Sequence, residues 1–196
     1  MRLLGATTIT LRRVGSSDAS VRASVQPLGK QDRGRERRKV YTKTELRVAD
    51  PDAPLRADQL LIKGRTYDVM EVLDYSDAPG LRHYEATVEE EGTDAVTVST
   101  PTGPPTTNDV TGAVSISSDD DAITGWLRQL RWAEVSSSGG KYQLGDVVFR
   151  TKRDNLSSSP TTDSSFTNAA GVRYRVIDVE LDDRTQRWFL VGRKAP

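Results

Sequence analysis

Two stretches of this chain, GRTYDVMEVLD from Gly64 and GVRYRVIDVEL from Gly171, share a glycine, then a tyrosine three residues on, then valines five and eight residues on. The offset between them is 107 residues (171 − 64), and the same offset carries Val40 of KVYT onto Val147 of DVVF (147 − 40). A fixed internal period means one structural unit built twice, and it constrains every later assignment. Earlier in each half, VRASV from Val21 matches VTGAV from Val110 at an offset of 89 (110 − 21), which requires about 18 extra residues in the second copy (107 − 89). Surface loops tolerate such additions at little entropic cost. The stretch DDDAITGWLRQLRWAEVSSSGG, at about residues 119–140, is where we place them.

The repeated unit reads as strands. Ile9 and Leu11, Val21, Ala23 and Val25, and Tyr84, Ala86 and Val88 each alternate with polar residues, the period of a strand with one buried face. KVYTKTELRV, GDVVFRT, RYRVIDVEL and RWFLVGR add β-branched and aromatic runs of strand length. Five or six short strands gain stability by closing into a barrel or docking on a neighbour. The expected fold is therefore all-β: a tandem duplication of a small barrel-like unit, SH3-like or related, with long loops and little helix. The first unit is assigned to residues 1–91. Residues 92–109, rich in Thr, Pro and Gly around TGPPTTND, are assigned to a linker and the start of the second unit, and 110–196 to the second unit. In the insertion, Asp119, Asp120 and Asp121 ahead of Ile123, Trp126, Leu127 and Leu130 predict a short helical turn, followed by a hairpin through SSSGG.

Composition narrows the function classes. Lys plus Arg equals Asp plus Glu at 28 each, so no net field draws the whole molecule to nucleic acid or to an anionic membrane, and any basic face is local. Cysteine is absent, which removes disulfides, thiolate metal sites and cysteine nucleophiles, and fits folding in a reducing cytoplasm. The opening MRLLGATTIT has too short an apolar run for a signal peptide, and no run suits a transmembrane helix.

The first half, roughly residues 8–91, resembles the head-closure or stopper proteins of tailed bacteriophages. The resemblance rests on SVQPLGK from Ser24, GRERRKVYTKTELR from Gly34, ADQLLIKGRTYDVMEV from Ala57 and HYEATVE from His83. The second half is similar to another phage connector type through RWAEVSSSGGKYQLGDVVFR and the GVRYRVIDV and RWFLVGRK strands. The resemblance implies a structural virion protein of the neck, a homo-oligomeric ring around the channel through which the genome passes. Its neighbours would be a portal or adaptor ring on the head side and tail terminator or tail tube proteins on the other. A doubled subunit would present two similar surfaces per chain.

The basic stretch KQDRGRERRK carries the most functional content. Lys30, Arg33, Arg35, Arg37, Arg38 and Lys39 crowd into a predicted loop, where like charges must stay solvated, meet acids or meet phosphate. Docking to an acidic portal surface is the favoured role, because the resemblance places inter-ring contacts at the neighbouring QPL segment; contact with channel DNA and a plain solvated loop are the alternatives. Trp126, in the insertion, and Phe166, closing the polar loop NLSSSPTTDSSF, are assigned to subunit contacts, and Trp188 to the core.

Enzyme chemistry finds few footholds. His83 is the single histidine and is read as structural. The acidic runs match no calcium-loop spacing, and no nucleophile-elbow, Walker or dinucleotide-binding pattern occurs. Catalysis, metal and cofactor are not expected. The rival reading is a nucleic-acid-binding module of two small barrels using the Arg-rich stretch. An enzyme working through carboxylates alone ranks third.

Overall fold

The computed structural model describes residues 5–30, 36–48, 57–77, 82–107, 111, 114–183 and 185–196. The chain divides into two compact units, Met1–Glu91 and Gly92–Pro196. Each holds a closed, all-antiparallel six-stranded barrel.

The first barrel comprises β1 (Thr7–Arg12), β2 (Ala19–Lys30), β3 (Glu36–Thr42), β4 (Gln59–Ile62), β5 (Arg65–Asp74) and β6 (Tyr84–Glu90). The strands run β1-β2-β3-β6-β5-β4, and β4 closes on β1 through Leu60 opposite Leu11. The second unit contains β7 (Asp94–Pro101), β8 (Thr106–Thr107), β9 (Val114–Ser115), β10 (Ser118–Gln129), α1 (Trp132–Ser137), β11 (Val147–Lys152), β12 (Ser165–Asn168), β13 (Arg173–Asp182) and β14 (Arg187–Lys194). Its barrel runs β7-β10-β11-β14-β13-β12, with β8 and β9 forming a separate two-stranded hairpin. Taken in chain order, the two barrels have one and the same strand order. The all-β tandem duplication is therefore present in the fold itself.

The correspondence extends to single residues. Both fifth strands carry a β-bulge, between Val69 and Glu71 in β5 and between Val176 and Asp178 in β13. The extra residues, Met70 and Ile177, are 107 apart (177 − 70). A bulge bends and twists a strand, and here it sits where each barrel wall must turn. Beside it the Val69 amide donates to the Asp58 carbonyl and the Val176 amide to the Ser164 carbonyl, both at 3.0 Å. Thr42 and Thr151 donate their hydroxyls to the carbonyls of Arg22 and Thr124, both at 3.1 Å.

Following the register round each barrel pairs Ile9 with Val96, Val21 with Ile123, Leu60 with Phe166 and Tyr67 with Tyr174. Two sequence matches are corrected by this. The counterpart of Val40 is Phe149, two residues beyond Val147, since Val40 faces Ala86 and Phe149 faces the equivalent Leu190. A slip of two keeps a strand's inward face inward, which is why the false match looked sound. The counterpart of Val21 is Ile123, and Val110 lies outside the described residues.

The additional residues of the second copy accordingly fall elsewhere. The offset rises from 87 (96 − 9) to 102 (123 − 21) between the first two strands, which is where the β8–β9 hairpin stands. It rises again to 109 (149 − 40) before β11, around α1. Residues 118–129, expected to begin with a helical turn, are one long strand, and where the hairpin through SSSGG is expected stand α1 and the turn that follows it. Asp119 and Asp121 do not start a helix: they accept hydrogen bonds from Ser158 and Ser157 of the loop before β12. Residues 92–109, assigned in part to a linker, carry β7, a full wall of the second barrel.

The cores fill by compensation. The pair Ala23 and Val40 of the first barrel is replaced by Gly125 and Phe149, and Leu60 with Val88 by Phe166 with Gly192. A Cβ on Gly192 would lie 2.5 Å from the Phe166 ring, and one on Gly125 2.7 Å from the Phe149 ring. Each enlarged side chain thus sits against a residue reduced to glycine, which leaves room for its ring.

Candidate functional site

The basic stretch is only partly a loop. Arg33 and Arg35 lie outside the described residues, and Lys30 ends β2. Arg37, Arg38 and Lys39 belong to β3, and barrel neighbours engage their charges. Arg37 lies 3.6 Å from Glu89, the Arg38 guanidinium sits 5.3 Å from the centre of the Tyr67 ring, and Lys39 pairs with Glu85. The hydrogen bond that Lys39 donates to Glu85 leads the effects that push the Lys39 pKa up, against desolvation. These three residues tie β3 to β5 and β6 and are not a loose cationic loop.

Phe166 is likewise relocated. It stands on β12 fully buried, 5.8 Å from Phe149 and 5.2 Å from Tyr174 between ring centres. A side chain that fills the barrel has no face to offer a neighbouring subunit, so its assignment to an interface is corrected to core. Trp126 is half-buried on β10 opposite Arg150, and Trp188 packs against the second core. His83 is buried against Tyr75, ring centres 5.0 Å apart and nearly parallel.

The most exposed apolar side chains of the second unit lie on its inserted elements. Val114 (63% exposed) and Ile116 (53%) belong to the β8–β9 hairpin or its return, Trp132 (68%) opens α1 and Leu144 (69%) lies between α1 and β11. The α1 segment is held firmly enough to present them. Leu130, Val148 and Val191 form a small second core on the outside of the barrel, on which Val135 and Tyr142 pack. The Glu134 carboxylate accepts two hydrogen bonds from Arg128, at 2.6 and 2.7 Å, and one from the Arg131 amide. Asp178 holds the far side through Lys141 at 2.8 Å and through the Tyr142 hydroxyl. Burial, then that hydrogen bond, pushes the Tyr142 phenol up to about 12.

A charged surface that residue runs did not reveal lies on the outside of the second barrel. Arg175 faces Arg193 across β13 and β14, and Arg173 lies two residues along β13 on the same face. The equivalent positions of the first barrel hold Asp68, Glu89 and Thr66. The sign of charge is reversed between the copies at this place. The signal was present in the alternation of RYR with the basic pair in VGRK, but it takes strand pairing to bring the two together.

Among the described residues no group of three or more His, Asp or Glu side chains is gathered to hold a metal ion, and no helix is long and apolar enough to cross a membrane. No family model and no curated protein matches the chain. Among solved structures, the solution structure of protein SF1141 from Shigella flexneri 2a is similar over 54% of this chain and 94% of its own, at 20% identity and a TM-score of 0.42.

Proposed function

We propose that this protein is a structural component of the neck of a tailed phage, assembling as a ring between head and tail. It joins a portal or adaptor ring on one side to tail terminator or tail tube proteins on the other, and it lines or closes the DNA channel. Its place is the virion, and its work is contact, without catalysis. The resemblance of both halves to connector proteins motivates the reading. The observation that carries it is the concentration of exposed Val114, Ile116, Trp132 and Leu144 on elements added to a closed barrel. A closed barrel has no open sheet edge to extend, so association must run through loops and added elements. Large exposed apolar side chains on such elements are the usual anchors of a protein contact.

Light scattering of the purified chain, alone and mixed with portal and tail-completion proteins encoded beside it, tests the reading. A ring-sized species, formed alone or on mixing and lost in the Ile116→Ser/Trp132→Ser variant, supports it. A single-chain mass in every mixture overturns it.

A further inference from the structure

We infer that the outer face formed by β14, β13, β12 and β7 of the second barrel is a contact surface for the phosphate backbone of nucleic acid. Strand register lays out two parallel rows there. Carried across to β10, one runs Arg193, Arg175, Ser165, Ser99, Asp120 and the other Arg173, Thr167, Thr97, Ala122. Directly opposed residues of antiparallel strands share a face, so the rows form one continuous surface. Alternate residues Val176, Phe166 and Val98 are buried inside the barrel, which fixes the rows as outward.

The rows contain three guanidinium groups, four hydroxyls and a small alanine, with a single carboxylate, Asp120, at the end of the first row farthest from the arginines. Asp146 engages Arg193 by two hydrogen bonds of 2.9 Å, and among the described residues Arg173 and Arg175 meet no acid. Arg173 instead donates to the Ser165 hydroxyl at 3.1 Å, a neutral acceptor that orients the group and leaves its charge intact. Both arginines are exposed. Along β12, β7 and β10 the surface dips into a concavity of about 500 Å³, lined among others by Ala95, Thr97, Ala122, Thr124 and Thr167, with no charged side chain in its lining.

Exposed guanidinium groups and hydroxyl donors at the β13 and β12 end of the face, three and two strands away from Asp120, suit phosphate oxygens, and they position a backbone without reading its sequence. Small side chains let that backbone approach the sheet. The first barrel, of the same topology, carries Glu89, Asp68, Gln59 and Arg12 along the row equivalent to Arg193, Arg175, Ser165 and Ser99. The basic face therefore belongs to the second copy alone. This inference does not require the ring: it assigns DNA contact to strands of the second barrel and not to the basic stretch at residues 30–39.

The test is fluorescence anisotropy of labelled random-sequence duplex DNA with the intact chain across a salt series. Two to three neutralised phosphates give a slope of log affinity against log salt of about −2 to −3. Arg173→Ser/Arg175→Ser is expected to lower affinity at least tenfold and to reduce the slope by about two. Thr167→Lys, adding one charge to the second row, should steepen it by about one. Arg37→Ser/Lys39→Ser should leave binding unchanged, and a cooperative urea transition shows that each variant is folded. No binding at about 50 mM salt, or binding that survives the double variant, overturns the inference. Displacement by polyglutamate as effective, charge for charge, as by unlabelled DNA also overturns it, in favour of an acidic protein partner. Either failure leaves the ring to be judged separately by its mass.

Discussion

Arg193 grips the buried carboxylate of Asp146 with both Nε and Nη2, each at 2.9 Å. The positions that correspond to these in the first barrel hold Glu89 and Arg37, the same ion pair with its charges exchanged. Both pairs clamp the third strand of a barrel, or its approach, to the sixth. What is retained between the copies is the clamp, while its polarity is free to change.

Removing the charge of Asp146 should loosen the second barrel. Asp146→Asn keeps the shape but gives up two charge-assisted hydrogen bonds, a loss of about 2 kcal/mol, at the lower end because Arg193 is partly solvated. All three tryptophans lie in the second unit, so the urea midpoint read by tryptophan fluorescence reports on that barrel. A midpoint equal to that of the unaltered chain would contradict this role.

The same pair sets an acid limit. Burial pushes the Asp146 carboxyl up, but the Arg193 hydrogen bonds, the Gln143 amide and the Arg193 charge together outweigh it and hold the group below its ordinary range. A carboxyl depressed in the folded state stabilises above its unfolded pKa of about 3.9 and loses that contribution as pH falls further, through its folded value. The stability of the second barrel should thus drop below about pH 4 more steeply in the unaltered chain than in Asp146→Asn. Urea midpoints at a series of acid pH values measure the difference.

Tyr142 sets the corresponding alkaline limit. With its phenol pushed up to about 12, the protonated form is favoured by folding, so its contribution is complete below about 10 and lost as pH rises through about 12. The late, alkaline part of the phenolate absorbance change should shrink by one tyrosine in Tyr142→Phe. An unchanged late amplitude in the variant would contradict the assignment.

Core compensation predicts a rescue. Gly192→Val drives a side chain into the Phe166 ring, 2.5 Å from where its Cβ would lie, and should cost about 3 kcal/mol. Adding Phe166→Leu restores the first barrel's own combination, Leu60 with Val88, and should recover more than half of that loss. Tryptophan-detected urea unfolding of the two single variants and the double variant closes the cycle; simple additivity would contradict the compensation.

The doubled barrel was legible because Gly64 and Gly171 open hairpins into the most regular pairing of each barrel, where no residue is added between glycine, tyrosine and valine. The bulge preserved that spacing in both copies. Elsewhere legibility failed for definite reasons. Val40 could be matched two residues short of Phe149 because a strand pattern of period two is unchanged by a shift of two. The acidic triplet before Ile123 resembled a helix start, whereas β10 uses alternate aspartates to hold the serine loop against the mouth of the barrel. Phe166 looked like a loop anchor because serines and threonines precede it, although β12 begins at Ser165. The basic surface of Arg173, Arg175 and Arg193 joins residues on two strands and could not be read from one run of sequence.

The most direct test of the proposed neck role is immunogold labelling of intact and tail-less particles of a tailed phage that encodes the chain, using antibody raised against the purified chain. The account predicts gold confined to the junction of head and tail, and at the portal vertex of heads that have lost their tails. Particles that contain the chain elsewhere, or lack it altogether by mass spectrometry, would contradict it.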